Sequence, residues 1–298
     1  MSGWAEQLSF AQRQRLQFVE AILLWEGSVQ RRDVCEVFQV TPNHLTRELK
    51  RYRSHNQGAL EYDVETRAYR RGRRFKPLFA SGSTEEYLAL LQAYAVSRSA
   101  TVIPALGHVV TAEVVPQPSG HIDPAVLKEV IRAIRNNAGV AVAYQSFSEA
   151  NPARRTLWPH TLVYTGDRWH TRAYDDRRGD FRDFVLARIT QAEPVVTAAP
   201  QSVRDDRLWQ ESETVEIVPA TGLSASQREV VAREYGMTHT RGGYTWKTEL
   251  RKCLVPYFLY RYRLDARELK RRDAAHKLAQ RIMLRDVTLA DRYAFKEV

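Results

Sequence analysis

Residues 166–189 read GDRWHTRAYDDRRGDFRDFVLARI, and the fold turns on which side of a sheet their charged positions occupy. Successive strand side chains point to opposite faces. Trp169, Thr171 and Ala173 therefore fall on one side, and His170, Arg172 and Tyr174 on the other. Further on, Arg182 and Arg188 share one parity, while Val185, Ala187 and Ile189 share the other. Upstream, from Gly139, apolar residues recur at period 2 instead of 3.6. VAVAYQSF (140–147) reads as a strand. RRTLWPHTLVYTGD (154–167) is a second, bent at Pro159 and turned by Thr165-Gly166-Asp167. WHTRAYDD (169–176) is a third and FVLARI (184–189) a fourth. Four short strands with tight turns predict a small, curved sheet or barrel.

The stretch before it is helical. LSFAQRQRLQFVEAILLWEG (8–27) carries Leu16, Val19 and Leu23 at helical spacing and stops at Gly27. VQRRDVCEVF (29–38) predicts a short second helix with Val34, Val37 and Phe38 inward. In QVTPNHLTRELKRYRSHN (39–56), Thr41 caps a third helix and Pro42 suits its first position, where no amide hydrogen is needed. Leu45, Leu49 and Tyr52 form its buried stripe, which leaves Asn43, His44, Thr46, Arg47, Lys50 and Arg51 outside. ALEYDVETRAYRRGRRFK (59–76) reads as a hairpin turning near Glu65 to Ala68, with Arg67, Arg70, Arg71, Arg73, Arg74 and Lys76 on or after the turn. A short helix, a tight turn and a capped helix with a basic outer face make a helix-turn-helix, and the hairpin makes it winged. Asn, His and Arg on such a helix meet base edges in the major groove, while wing arginines lie along phosphates. The DNA contacts expected are thus Asn43, His44, Thr46, Arg47, Lys50, Arg51, Arg67, Arg70, Arg71 and Arg73. The competing reading is a helical domain with a solvated basic face.

Between these blocks, STEEYLALLQAYAVSRS (83–99) predicts a helix capped by Ser83 or Thr84, with Tyr87, Leu88, Leu91, Tyr94 and Ala95 as its apolar face. A Val-rich extended segment follows, with a seam at PQPSG (116–120), and Asp123-Pro124 starts another helix. After the sheet, TVEIV (214–218) reads as a strand. SASQREVVAREYG (224–236) reads as a helix capped by Ser224, with Val230 and Val231 inward. YTWKTEL (244–250) is a strand, and LVPYFLYRYRLD (254–265) is an amphipathic helix. The tail RELKRRDAAHKLAQRIML (267–284) is strongly basic and reads mainly as a solvated face.

The whole chain is 298 residues with a formal net charge of +10. That length predicts two or three domains, and the charge favours a polyanionic partner. Arginine outnumbers lysine throughout, so the choice of arginine at any one site carries little weight. No run of eighteen apolar residues occurs, and the N-terminus lacks a basic start followed by an apolar block, so neither a membrane span nor a secretory signal is expected. Cys35 and Cys253 lie far apart inside apolar helical patterns and read as buried free thiols in a reducing cytosol. The localisation expected is cytoplasmic. No metal spacing, nucleophile motif, carboxylate pair or Gly-rich phosphate loop accompanies His160 or His170, so no cofactor and no enzymatic activity are expected.

Arg155-Thr-Leu-Trp-Pro159, Leu162, Trp169-His-Thr, Arg172, Phe181-Arg182 and Arg188-Ile189 together resemble the WYL-domain family of bacterial transcription regulators. The order of blocks also resembles it, and within it the CapW and BrxR type that represses phage-defence operons. The family's eponymous Trp-Tyr-Leu is here Trp169, His170 and Thr171. The resemblance implies an α+β multidomain fold. Its parts are an N-terminal winged helix-turn-helix (1–80), a connector (81–138), a small SH3/Sm-like β-barrel WYL domain (139–200) and a C-terminal α+β dimerisation extension (210–298). It also implies a sheet-borne pocket for an anionic or nucleic-acid-derived effector, at Tyr144, Ser146, Arg155, His160, His170, Arg172, Tyr174, Arg182 and Arg188. Arginine forks suit phosphate oxygens and aromatic rings stack on bases. On this reading the polar positions of several strands share one face. The bland alternative pairs these arginines with Asp167, Asp175, Asp176, Asp180 or Asp183. The function implied is a homodimeric repressor on an inverted-repeat operator in double-stranded DNA. Replacing Arg172 or Arg188 is then expected to spare DNA binding and block induction. An activator of the same architecture, a nucleic-acid-processing enzyme and an RNA-binding adaptor are the rivals.

Overall fold

The computed structural model describes residues 3–118, 120–265 and 281–295. The chain divides into two compact units, residues 1–116 and 117–298.

The first unit begins with α1 (Gly3–Glu6) and α2 (Phe10–Trp25), the latter held at its start by a reciprocal Ser9–Gln12 capping box. There follow β1 (Ser28–Gln30), α3 (Arg31–Phe38), α4 (Pro42–His55), β2 (Leu60–Asp63) and β3 (Ala68–Arg71). The Thr41 hydroxyl accepts from the His44 amide at 3.3 Å, so the expected cap forms. The three strands pair antiparallel in the order β1-β3-β2. This is a winged helix, with one addition to the sequence reading. Val29 and Gln30 leave the expected second helix, and Ser28–Gln30 pairs with Arg70, Tyr69 and Ala68 as a third strand. That pairing spans some forty residues and leaves no local pattern. Leu16, Phe18, Ile22, Leu45, Leu49 and Tyr52 fill the core. At the base of the hairpin Gly72 approaches its neighbour so closely that a Cβ would stand 2.2 Å from the Gly58 carbonyl oxygen. Glu20, fully buried on α2, accepts from the Tyr52 hydroxyl (2.6 Å) and from the amides of Leu78, Phe79 and Ala80 (2.8, 2.7 and 2.8 Å). Burial pushes this carboxyl up and the four donors oppose it. The chain leaving the wing is thereby tied to α2. Beyond it lie α5 (Thr84–Ser97), capped by Ser83, and α6 (Ile103–Leu106). Of the apolar face expected on α5, Leu91 is buried but Leu88 is 61% exposed. Cys35 is only half-buried, unlike Cys253.

The second unit opens with α7 (Pro124–Asn136), capped by Asp123. Then come β4 (Ala138–Tyr144), β5 (Ala153–Tyr164), β6 (Trp169–Asp175), β7 (Asp180–Val185) and β8 (Ile189–Ala198). They form one antiparallel sheet in the order β7-β6-β5-β4-β8. Two expectations change here. FVLARI is not one strand: β7 ends at Val185, a turn occupies Leu186–Arg188, and a fifth strand starts at Ile189. Pro194 and the polar residues around it mask that strand in the sequence, and Pro is tolerated because β8 is an edge. The barrel is also not closed. Closure requires the end strands to exchange hydrogen bonds, but among the described residues β7 pairs with β6 and β8 with β4. Val126, Val130 and Ala133 of α7 pack with Val140, Leu157 and Ala173 on one face of this sheet.

A short helix, α8 (Arg207–Gln210), leads to β9 (Ser212–Pro219), α9 (Ala225–Glu234), β10 (Thr238–Thr240), β11 (Gly243–Arg251), α10 (Val255–Arg261), β12 (Ile282–Leu284) and α11 (Thr288–Arg292). The strands form a second antiparallel sheet, β10-β11-β9-β12, over a core that includes Val215, Ile217, Val255 and Leu259. Ser224 caps α9 as expected. Val231 is buried there, but Val230 is 52% exposed. Residues 267–280 of the basic tail lie outside the described residues, and its end, Ile282–Leu284, is β12. Among the described residues no helix is long and apolar enough to cross a membrane.

Candidate functional site

On α4 the buried stripe of Leu45, Leu49 and Tyr52 turns Asn43, Arg47, Lys50 and Arg51 to solvent. None of these four side chains has a partner among the described residues. His44 and Thr46 differ. His44 Nε2 lies 2.9 Å from Glu48 Oε1, and Glu48 also receives Arg15 through two contacts of 2.8 and 2.6 Å. The Thr46 hydroxyl donates to the Pro42 carbonyl at 2.7 Å and accepts from Arg31 at 3.0 Å. These contacts lock α4 onto α2 and α3. On the wing, Arg67, Arg70, Arg71 and Arg73 are all exposed. Arg70 pairs with Asp63 at 2.7 Å, and Asp63 also accepts from the Glu65 and Thr66 amides, which shapes the turn. Arg71 lies over the Phe75 ring at 5.2 Å. A groove of about 530 Å³, lined by Gln30, Arg31, Arg32, Gln39 and Arg67 among others, runs beside the start of α4.

The nine residues expected around an effector do not share one face. Cross-strand register puts His170, Arg172 and Tyr174 opposite Val185, Asp183 and Phe181 on one side of the sheet. Arg155 is paired with Val142, and its neighbour in parity, Leu157, with Asp175. Arg155 and Tyr144 therefore lie on the other side, with α7. There Arg155 meets Asp175 at 3.0 Å and Glu149 at 3.8 Å, and its guanidinium stands 5.4 Å from the Tyr144 ring centre. Its Nε is buried without a partner among the described residues. The Tyr144 hydroxyl accepts from the Val185 amide at 3.3 Å. Ser146 and Arg188 lie at the edge of this group. Arg188 covers the ring of Phe147 at 4.3 Å, and Phe147 is otherwise 91% exposed. Arg182 is exposed at the outer strand.

The opposite side is closed by the chain that follows the sheet. Arg172 is 3% exposed and grips Asp206 with two contacts, Nε to Oδ2 at 2.7 Å and Nη2 to Oδ1 at 2.8 Å. Asp183 adds a third at 3.3 Å. His160, bulged out of the β5–β6 register, reaches the same Asp206 with Nε2 at 3.2 Å. Burial alone would raise the Asp206 carboxyl, but the Arg172 and His160 hydrogen bonds outweigh it and hold it at about 2. Tyr257 of α10 donates to Asp183 at 3.1 Å, and burial pushes its phenol up. Burial likewise pushes the Cys253 thiol up to about 12 and His170 down, the latter with its Nδ1 unpartnered among the described residues. Tyr174 is half-buried against Trp158 and Phe181. The sequence named Asp175 and Asp183 as possible partners but missed Asp206, Trp209 and Tyr257. Its one signal was Asp206 as an N-cap before Arg207-Leu-Trp209, which says nothing of the arginine it meets. Removing the Arg172 guanidinium breaks a buried ion network, so its substitution does not spare the fold and is not a clean probe of induction.

Three stretches match known domains. Residues 11–93 match the winged helix-turn-helix domain of BrxR transcriptional regulators, 125–194 the WYL domain, and 212–288 the BrxR C-terminal dimerization domain. The DNA-binding transcriptional repressor CapW of Escherichia coli strain KTE188 is 32% identical over 272 residues, covering 91% of this chain and 89% of that one. CapW of Pseudomonas aeruginosa is 30% identical over 270 residues, covering 91% and 89%. CapW of Stenotrophomonas maltophilia is 31% identical over 265 residues, covering 89% and 87%. Among solved structures, the proteasome accessory factor PafBC of Arthrobacter aurescens aligns with 95% of this chain and 46% of its own length, at 18% identity and a TM-score of 0.28. With its winged helix, WYL sheet and C-terminal module in place, and 32% identity across 91% of its length, the chain belongs to the CapW family of transcriptional repressors.

Proposed function

We propose that this chain is a homodimeric, sequence-specific DNA-binding repressor, with a phage-defence operon as its expected target, relieved by an anionic or nucleic-acid-derived effector at the WYL module. The observation that carries the reading is the set of exposed, unpartnered Asn43, Arg47, Lys50 and Arg51 on a helix capped at Thr41 and braced by Glu48 and Thr46. A solvated face needs no such bracing; a helix that must enter a major groove in one register does. His44 and Thr46 contribute mainly to that bracing, and Arg67, Arg70, Arg71 and Arg73 supply phosphate contacts. Two copies joined through the C-terminal module read the halves of an inverted repeat. The effector acts at Tyr144, Ser146, Arg155, Arg182 and Arg188 on one side and at His160, His170, Arg172 and Tyr174 on the other. It changes DNA affinity only so far as it binds two dimer arrangements unequally, and a coupling of about 1–3 kcal/mol gives roughly 5- to 150-fold derepression. Selection of bound fragments from a random duplex library tests the first half: a two-fold-symmetric site is expected, and capture of duplex without sequence preference overturns it. An operator-driven reporter challenged with phage tests the second, with Arg188→Ala expected to remain repressed.

A further inference from the structure

Asp206 does not belong to the sheet whose arginine it holds. It stands in the segment that leads into β9, the first strand of the C-terminal module. Three side-chain donors converge on its carboxylate, Nε and Nη2 of Arg172 at 2.7 and 2.8 Å and Nε2 of His160 at 3.2 Å. The two-pronged contact is the one arginine makes with any planar or tetrahedral oxyanion, phosphate included. Its other ties lie at its C-terminal end. Trp209 packs edge-on against His160 at 5.2 Å, Arg251 of β11 covers the Trp209 ring at 4.4 Å and donates to the Trp209 carbonyl, and the Glu211 carbonyl and carboxylate both receive Lys252, while α8 is a single turn capped by Asp206 itself. Arg172 is 3% exposed and Asp206 1%. Asp206 takes Nε and Nη2 and Asp183 takes Nη1, so no further anion reaches the guanidinium while Asp206 is in place.

We propose that Arg172 and His160 form a subsite for a phosphate-bearing effector and that Asp206 is its built-in stand-in, so that binding the effector expels Asp206 and frees the segment entering the dimerisation module. The inference rests on the effector reading above and adds what the effector must displace. Because effector and carboxylate exclude one another, occupancy of the subsite and release of residues 202–210 are obligatorily linked. Outside the site Asp206 regains water, so its release leaves no buried charge unpaired on that side. The freed segment is continuous with β9, and Tyr257 of α10 rests on Asp183, the other partner of Arg172. Loss of Asp206 is therefore felt by two elements of the C-terminal module.

The test uses the full-length chain with two probes, inorganic pyrophosphate and thymidine 3′,5′-bisphosphate, titrated by calorimetry. Asp206→Asn, which keeps the shape and removes the charge, is expected to bind on the order of 10-fold more tightly than the parent chain. The gain is expected to vanish when Arg172→Lys, which lacks the fork, is added. A gain with both probes means that phosphate suffices; a gain with the bisphosphate alone means that a nucleoside is needed. If Asp206→Asn fails to fold, the parent chain decides by hydrogen exchange. The amides of Trp209, Gln210 and Glu211, bonded within the turn that Asp206 caps, are expected to lose protection at saturating probe. Equal affinity of a folded Asp206→Asn chain, or unchanged exchange at saturation, overturns the stand-in. If Arg188→Ala weakens probe binding while Asp206→Asn leaves it unchanged, the effector reading survives alone. If neither the parent nor the variant binds either probe, both fall.

Discussion

On α4, Arg47, Lys50 and Arg51 stand exposed with no side-chain partner among the described residues; on β6, Arg172 is 3% exposed and shared between two carboxylates. Both sets come from the same arginine-rich composition; helical spacing predicts the first as an exposed basic face, and strand parity with the family resemblance predicts the second as part of an effector pocket. The difference lies in what the rest of the chain brings to them. A charge left in water is stabilised by solvent and stays available to a polyanion, whereas a charge taken out of water must be paired where it stands. The basic surface of the winged helix is thus open to solvent, while that of β6 is already paired within the chain.

The sharpest way to break this contrast is to remove the buried charge. Arg172→Ala strands Asp206 and Asp183, and a loss of about 3–5 kcal/mol is expected in urea melts of the full chain. A loss under 1 kcal/mol would mean that the pair is as dispensable as a surface one. The first unit has a buried carboxyl of its own: Glu20→Ala leaves the amides of Leu78, Phe79 and Ala80 without that acceptor. It is expected to cost about 3 kcal/mol and to free the chain after the wing for proteolysis. Acid offers a gentler probe. The Asp206 carboxyl sits at about 2 against an ordinary 3.8. Its folded value is depressed, so its contribution is complete above the ordinary value and drains away as pH falls from about 4 towards 2. That contribution is about 2 kcal/mol, and Asp206→Asn should flatten this limb of the stability–pH curve. Arg47→Ala and Lys50→Ala probe the exposed side. Each is expected to change stability by less than about 0.5 kcal/mol while weakening operator binding roughly 10-fold, with Lys50→Ala also lowering the salt slope by about 1. Unchanged affinity in a gel-shift titration would remove α4 from the DNA interface.

Legibility followed the range of the interactions. The Thr41-Pro42 start of α4, the Ser83, Asp123 and Ser224 caps, and the stripe of Leu45, Leu49 and Tyr52 are set within a turn or two, and all formed as read. Ser28–Gln30 was missed because its strand character comes from Ala68–Arg70. The fifth strand, β8, was missed because an edge strand tolerates Pro194 and polar residues. The shared parity of His170, Arg172 and Tyr174 was correct, but assigning Arg155 and Tyr144 to the same face required the β4–β5–β6 register, which no single strand encodes.

What the amino-acid sequence determined by itself was the set of elements and their amphipathic faces, because caps, turns and periodicity act between residues close along the chain. It also determined the excess of positive charge, and so the class of partner. Which arginines remain for that partner was decided only by the tertiary structure. The Asp206 that holds Arg172 is 34 positions away, and the energy of an ion pair depends on distance and burial in space, neither of which is written in sequence order.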